Sequence, residues 1–571
     1  MSSPSAQETE RRTGGLRLAF ILIAAITFVR CVSLVLSPIG LGPDEAQYWR
    51  WSETLDWGYW SKPPLIGWAI HASTALFGDG EWAVRAFAPL SHGVGAALLA
   101  VLAHDMAAAR GDQRPGRLGL FAALVYLLMP GVTLSSAVMS TDGLLLPLWS
   151  LALLMLWRLR SAHGGWASAL GLGIGIGLGL LAKYAMVYFL IGLALTLVLD
   201  APTRRALLSW RGVVAIAAAA ALFAPHMAWN AANSFKTLGH TADNANWGAA
   251  LGNPENGLIF LADQMGVFGP IVFLVLLLGL ASRRGWGEPG ERWLLAFILP
   301  PLLVILAQAV ISRAHANWAA TAYPAASVLV TLWLAGATRE RRWAWFALIA
   351  LIGLAPLALR GLTLETRLAV CAVLGAIALG LGLWQRFRER GFLFASLALN
   401  ALVAVLFTAV SLAPPQVSEA FGIANAFRQA RYWPETVAAL DAEARKVGAS
   451  ALLIDERENW HGIDYYGRDG ALSVPLRAWR LEDGAKSYSE EFPLQPGEDG
   501  AVLVASARTD AFDRLRGDFA TLTALGEVRI PVTARRDRRF CLYLASGFAP
   551  VPRAQAAALK DTGRNAPCGV P

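Results

Sequence analysis

The feature that most limits how this chain can fold is a succession of about thirteen apolar runs, most close to the length a helix needs to cross the hydrocarbon core of a bilayer. They lie near 18–37, 84–103, 118–135, 142–157, 166–182, 184–199, 212–228, 257–280, 293–311, 319–336, 343–359, 368–385 and 392–413. A run of that length can leave water only as a helix, because no solvent remains to satisfy its backbone polar groups. The expected fold class is therefore an α-helical polytopic membrane protein. Charged residues make up only 16% of the chain, well below the quarter usual for soluble domains.

Alternate connections carry the arginines: Arg11, Arg12 and Arg17; Arg110, Arg114 and Arg117; Arg158 and Arg160; Arg204, Arg205 and Arg211; Arg283, Arg284 and Arg292; Arg339, Arg341 and Arg342; Arg386, Arg388 and Arg390. By the positive-inside rule these connections, and residues 1–17, are expected in the cytoplasm. The net charge of +8 is then explained by topology and anionic lipid, and nucleic acid is not an expected partner. An odd number of spans sends everything after residue 413 to the external face. A cleaved signal peptide is the alternative reading of the first run, which is long for that role and lacks a small-residue cleavage pattern before Asp44.

After Pro414-Pro415 the composition turns charged and mixed, so 18–413 reads as the membrane domain and 414–571 as a soluble domain. Helical periodicity over 434–447 and short apolar runs at 451–454 and 501–505 predict a small α/β layer. The cysteines, Cys31, Cys371, Cys541 and Cys568, are too scattered for a metal site of the CxxC kind. A Cys541–Cys568 bridge stays open if the tail faces an oxidising compartment.

The external side is expected to hold the unusual polar residues. Two adjacent carboxylates, Asp44 and Glu45, follow a Gly42-Pro43 turn just beyond the first run, and Lys62-Pro63-Pro64 comes 18 residues after Asp44. Charge beside lipid costs desolvation energy unless it lines a wet cavity, so such residues mark a substrate site. The tryptophans and tyrosines between 42 and 82, Tyr48 and Tyr59 among them, suit interfacial helices. An exposed acidic loop is the plainer reading of the pair, and a snorkelling side chain that of Lys62. Asp142 in Ser140-Thr141-Asp142-Gly143 suits a helix cap as well as a site, and Lys183-Tyr184 a short external turn as well as phosphate binding. Arg313, His315, Asn317 and Trp318, with Tyr323 beyond, bring a cation, an imidazole, an amide and aromatic faces to one helix end, which suits a diphosphate or sugar hydroxyls. His226 and His240 are candidates to join His315 around a divalent metal, but no His/Asp/Glu spacing identifies such a site. The alternating glycines from 171 to 179 lie inside an apolar run, where they serve helix packing rather than a nucleotide.

The Asp-Glu pair after the first run, the Lys-Pro-Pro motif and the Thr-Asp at the start of the fourth run together resemble the GT-C membrane glycosyltransferases. Within these, the chain resembles the dolichyl-phosphate-mannose protein mannosyltransferase type, which includes the bacterial enzymes that transfer aminoarabinose to lipid A. The resemblance covers roughly residues 15 to 340. It implies an inverting transfer of sugar from a polyprenyl-phosphate donor to a lipid, glycan or protein acceptor at the external face, here the periplasmic side of a bacterial inner membrane. Under it Asp44 is the principal catalytic carboxylate, with Glu45 beside it and Asp142 as the second acidic residue. The resemblance gives Lys62 the donor phosphate and places an aromatic at Tyr48; read from their own chemistry, Lys183 and Arg313 are candidates for the same phosphate, and Tyr48, Tyr59, His315, Asn317, Trp318 and Tyr323 for substrate contacts. The aminoarabinose enzymes carry an arginine after the pair where this chain has Gln47. A transporter or flippase for an anionic or lipid-linked substrate is the alternative; midplane charges and paired repeats would mark it. A membrane anchor presenting the soluble domain would leave the carboxylates unexplained.

Overall fold

The computed structural model describes residues 6–161, 164–243, 252–281, 288–335, 391–498, 500–557, 559 and 568. The predicted runs 343–359 and 368–385 lie outside them, as do Arg283, Arg284, Arg339, Arg341, Arg342, Arg386, Arg388 and Arg390. Every other predicted run is helical. Among the described residues seven helices are long and apolar enough to cross a membrane, and an eighth span is possible if Tyr184–Leu199 and Ala201–Leu207, bent by 114°, count as one.

Two runs read as single spans are broken, each at a proline. Met129 turns extended before Pro130, which lacks an N–H and disfavours helical geometry in its predecessor, so helix Pro115–Leu128 stops and Pro130–Ser135 starts afresh. Gly269 separates Pro254–Phe268 from Pro270–Ala281 at φ 106°, a conformation open to glycine, and a Cβ there would come within 2.6 Å of the Asn400 side chain.

The chain forms two compact units. One comprises Met1–Val35, Asp56–Ala69 and Arg85–Ala409; the other comprises Leu36–Leu55, Ile70–Val84 and Val410–Pro571. The stretch 42–82 is thus divided between them.

In the first unit the glycine-rich helix Trp166–Ala182 lies between two neighbours. A Cβ on Gly173 would meet the Ala215 carbonyl oxygen at 2.4 Å, and one on Gly175 the Ala152 nitrogen at 3.1 Å, so small residues let three helix backbones approach. Three arginines of the predicted cytoplasmic connections end in ion pairs, Arg110 with Glu291 at 3.1 Å, Arg158 with Asp105 at 2.8 Å and Arg160 with Asp200 through both carboxylate oxygens. Asp200 also caps helix Ala201–Leu207 through the Thr203 amide.

The second unit contains a five-stranded sheet in the order β2-β1-β3-β5-β4, with β1 Leu452–Ile454, β2 Leu476–Ala478, β3 Val502–Ser506, β4 Phe519–Thr533 and β5 Arg536–Phe548. The two predicted strands, β1 and β3, are parallel neighbours, with Leu452 opposite Leu503. Both of their faces are covered: Leu452 and Ile454 pack with Trp433, Val437 and Leu440 of the predicted helix, here Trp433–Lys446, while Leu453 and Val504 pack with Trp479, Phe512 and Tyr543. Burial on both faces explains the uninterrupted apolar runs of these strands. Cys541 on β5 is disulfide-bonded to Cys568, fastening the tail to the sheet.

Candidate active site

In the first unit, three side chains far apart in sequence meet at the start of helix Thr141–Leu159. Ser140 is extended and its hydroxyl accepts from the Gly143 amide, so the cap is supplied by the serine. The Asp142 carboxylate is therefore available for other work. Its Oδ1 accepts from the Lys183 ammonium at 2.7 Å and its Oδ2 from the Asn317 amide at 2.8 Å. Lys183 is delivered by a corner: helix Trp166–Ala182 ends, the lysine is extended at φ −163° and ψ 137°, and a short 3₁₀ turn follows. Asn317 lies in the 3₁₀ helix Ala316–Ala322, which extended His315 precedes. Beneath the capping serine, buried His92 bonds Tyr126 through Nδ1 and Ser135 through Nε2, each at 2.9 Å, and Ser135 reaches Ser140 at 3.4 Å. The carboxylate is 11% exposed and the ammonium 21%, so each depends on the other to offset lost hydration. An ammonium has three donors, and this pair occupies one of them.

The loop carrying Lys62 is held from several sides. Tyr59 N–H donates to the Lys62 carbonyl at 3.1 Å, His226 Nδ1 lies 2.6 Å from the Trp57 carbonyl, and the Thr237 hydroxyl donates to the Tyr59 carbonyl at 2.6 Å. Gly58 lies so close to Trp229 that a Cβ would be 2.3 Å from the indole. His226 Nε2 is also 2.6 Å from the Tyr184 hydroxyl. One buried imidazole therefore holds both the Lys62 loop and the residue beside Lys183. That engagement replaces the metal-ligand reading considered for His226. Among the described residues, no three His, Cys, Asp or Glu side chains are grouped as metal ligands. Lys62 itself is half-buried, whereas Tyr59 is buried with its ring against Gly67.

Arg313 and His315 are exposed, and the His315 and Trp318 rings stand edge to face at 5.2 Å. Their segment is fixed through its backbone: Gln308 donates to the Arg313 carbonyl and Gln264 to that of Ala316. Tyr323 is a correction to the sequence reading. It is fully buried, stacked on Phe268 at 4.5 Å, and its hydroxyl donates to Gln264 Oε1 at 2.5 Å, so it packs the helix interior instead of contacting substrate.

The second unit holds the acidic pair on helix Pro43–Ser52. Pro43 occupies the first turn, where its missing N–H costs nothing, and Glu45 Oε2 accepts from the Gly42 amide at 3.0 Å in a capping-box arrangement. Glu45 is 2% exposed and serves the helix start, whereas the Asp44 side chain is 64% exposed. Tyr48 is buried, with its ring centroid 5.3 Å from that of Trp51. Further along the helix, Arg50 lies 3.6 Å from Asp464, whose side chain is 16% exposed. Burial raises the Asp464 pKa to about 6, with Arg50 opposing the shift and Glu53 adding to it. A carboxyl with a folded pKa above its unfolded one favours folding when protonated. Its contribution is present below about pH 4 and is lost as the pH rises through about 6. Asp464→Asn is expected to raise the melting temperature at about pH 7.5 and leave it unchanged at about pH 4; an equal gain at both would contradict this.

Residues 61–229 match the family model described as dolichyl-phosphate-mannose-protein mannosyltransferase, a stretch that includes Lys62, Asp142, Lys183 and His226. The chain is 37% identical over 322 residues to the lipid A galacturonosyltransferase RgtD of Rhizobium johnstonii, a match covering 56% of this chain and 65% of that protein. It therefore spans slightly less than two thirds of this relative's length. Among solved structures, ArnT from Cupriavidus metallidurans in the apo state superposes with a TM-score of 0.62 at 17% identity, covering 92% of this chain and 97% of that one. The same protein bound to undecaprenyl phosphate gives 0.61 at 17% identity over 93% and 99%. At these identities the likeness shows a shared fold.

Proposed function

We propose that this chain is a GT-C glycosyltransferase, a membrane enzyme that moves a sugar from a polyprenyl-phosphate carrier to a glycolipid acceptor. The observation that carries the reading is the Asp142 carboxylate held between Lys183 and Asn317, a fixed polar group where a span begins. In the proposed reaction the acceptor hydroxyl attacks the anomeric carbon as the bond from that carbon to the phosphate oxygen breaks. Asp44 takes the hydroxyl proton and offsets positive charge growing on the ring, and polyprenyl phosphate departs with the bonding electrons. A single displacement inverts the anomeric centre. If the acceptor is itself a phosphate, Asp44 acts by positioning and electrostatics.

Lys62 is assigned to the donor phosphate, because its loop is held in place by Thr237, His226 and Trp229. Asp142 keeps Lys183 oriented for the same charge, and Asn317, Trp318, His315 and exposed Arg313 suit sugar and phosphate oxygens. Tyr59 packs within the segment that carries Lys62, and Glu45 and Tyr48 within the helix that carries Asp44. Alternating arginine connections support a cytoplasmic N-terminus, and the Cys541–Cys568 bridge supports an oxidising, periplasmic setting for the C-terminal region.

The donor to test first is polyprenyl-phosphate galacturonic acid, and the acceptor a lipid A-type glycolipid, following the matched galacturonosyltransferase. Purified protein should consume that donor, or another polyprenyl-phosphate sugar from a panel, only when acceptor lipid is present. Tight donor binding without consumption would point to a transporter. Lys62→Ala is expected to weaken binding of polyprenyl phosphate by about 10–100-fold, as befits a lost charge-assisted contact. Titration by native mass spectrometry checks this, and unchanged affinity would reduce Lys62 to a snorkelling side chain.

A further inference from the structure

The second unit holds a contact that the proposed mechanism does not use. Helix Arg457–Tyr466 of the C-terminal domain lies along helix Pro43–Ser52, which carries the acidic pair. Near one end, the Arg457 guanidinium donates from Nη1 to Asp44 Oδ1 at 3.0 Å and also bonds Gln47 Oε1. Further along, Trp49 meets Tyr465 edge to face at 4.9 Å and Arg50 faces Asp464. Tyr466 accepts from the Leu41 amide at 2.7 Å through its hydroxyl, which a Cβ on Gly40 would approach to 2.4 Å. The helix docking therefore has several anchors besides Arg457. Gln47 is only 2% exposed, so its amide is fixed and holds the guanidinium on the Asp44 side of the helix.

We propose that Arg457 is a positioning residue for the transfer reaction, supplied by the C-terminal domain to fix Asp44 in the orientation that the reaction requires. This rests on Asp44 being the reactive carboxylate. The guanidinium engages Oδ1, which leaves Oδ2 as the oxygen for the incoming hydroxyl. Unbound, an exposed carboxylate samples several rotamers, and an arginine contact selects among them. The pair is too exposed to matter much for stability, with Arg457 38% and Asp44 64% accessible. Its removal should therefore appear in the rate and leave folding intact. A purely structural salt bridge would not separate the two.

The test uses the full-length protein in detergent. Arg457→Ala is expected to lower kcat by about 10–100-fold, with donor KM within about threefold and melting within about 2 °C of wild type. Arg457→Lys should recover part of the loss. Gln47→Arg added to Arg457→Ala should recover most of it, because position 47 is one helical turn from Asp44 and bonds the same guanidinium in the native protein. Amide exchange over residues 42–48 needs no substrate; it should rise in Arg457→Ala and return in the double variant. Full activity in Arg457→Ala, a loss matched by lowered melting, or unchanged exchange would overturn the proposal. If Asp44→Asn abolishes transfer while Arg457→Ala does not, this inference alone fails. If Asp44→Asn is fully active, the functional reading of Asp44 fails instead.

Discussion

Asp44→Asn is expected to reduce transfer by about 10²–10⁴-fold, the range contributed by a positioned proton acceptor, without unfolding the protein. The substitution is close to isosteric, and the side-chain oxygen of asparagine can still accept from Arg457, so the helix contact survives. What disappears is the negative charge and the basic oxygen. Because the native carboxylate is largely exposed, no buried charge is stranded and the melting temperature should hold. Wild-type rates in a well-folded Asp44→Asn protein would remove Asp44 from the mechanism. Glu45, although its neighbour, is buried against Gly42 and cannot be expected to behave in the same way.

Lys183→Ala should affect both fold and function. It leaves the Asp142 carboxylate buried with Asn317 as its remaining described partner, and breaking such a pair from one side typically costs about 3–5 kcal/mol. Adding Asp142→Asn removes the stranded charge, so the double variant should regain most of the lost thermal stability. Activity should not return, because neither the ammonium nor the carboxylate is present. Melting in detergent and the transfer assay, run on both single variants and the double, separate these effects. If Lys183→Ala melts like wild type, the two side chains are not coupled, and the reading built on their contact falls.

Much of the membrane architecture was legible because a span must announce itself as an apolar run, and the breaks at Met129-Pro130 and Gly269-Pro270 carry their own proline signals. Asp142, Lys183 and Asn317 could each be suspected from polarity at the edge of a run. Their meeting could not be read, since residues from three separate segments have no spacing to betray it. Tyr323 misled because an aromatic next to Arg313 and His315 resembles a binding residue, and only packing shows it turned inward. His226 is the reverse case, a histidine in an apolar run that proves to be a structural tie. The parallel strands β1 and β3 stood out as apolar runs, whereas β4 and β5 mix polar and apolar residues and pair as a long hairpin. Arg457 gave no signal at all. It sits among other charges in Asp455-Glu456-Arg457-Glu458, and its importance arises only where the helix lands.

Transfer of sugar from a polyprenyl phosphate to a lipid is the activity proposed for this chain. Mass spectrometry tests it directly, on lipids recovered after purified wild type and Asp44→Asn are each incubated with polyprenyl-phosphate galacturonic acid and membrane glycolipids. A glycolipid heavier by one sugar residue, together with free polyprenyl phosphate, is expected in the wild-type reaction and almost none with Asp44→Asn. Stable donor binding with no heavier lipid, across the full panel of donors and acceptors, would contradict it.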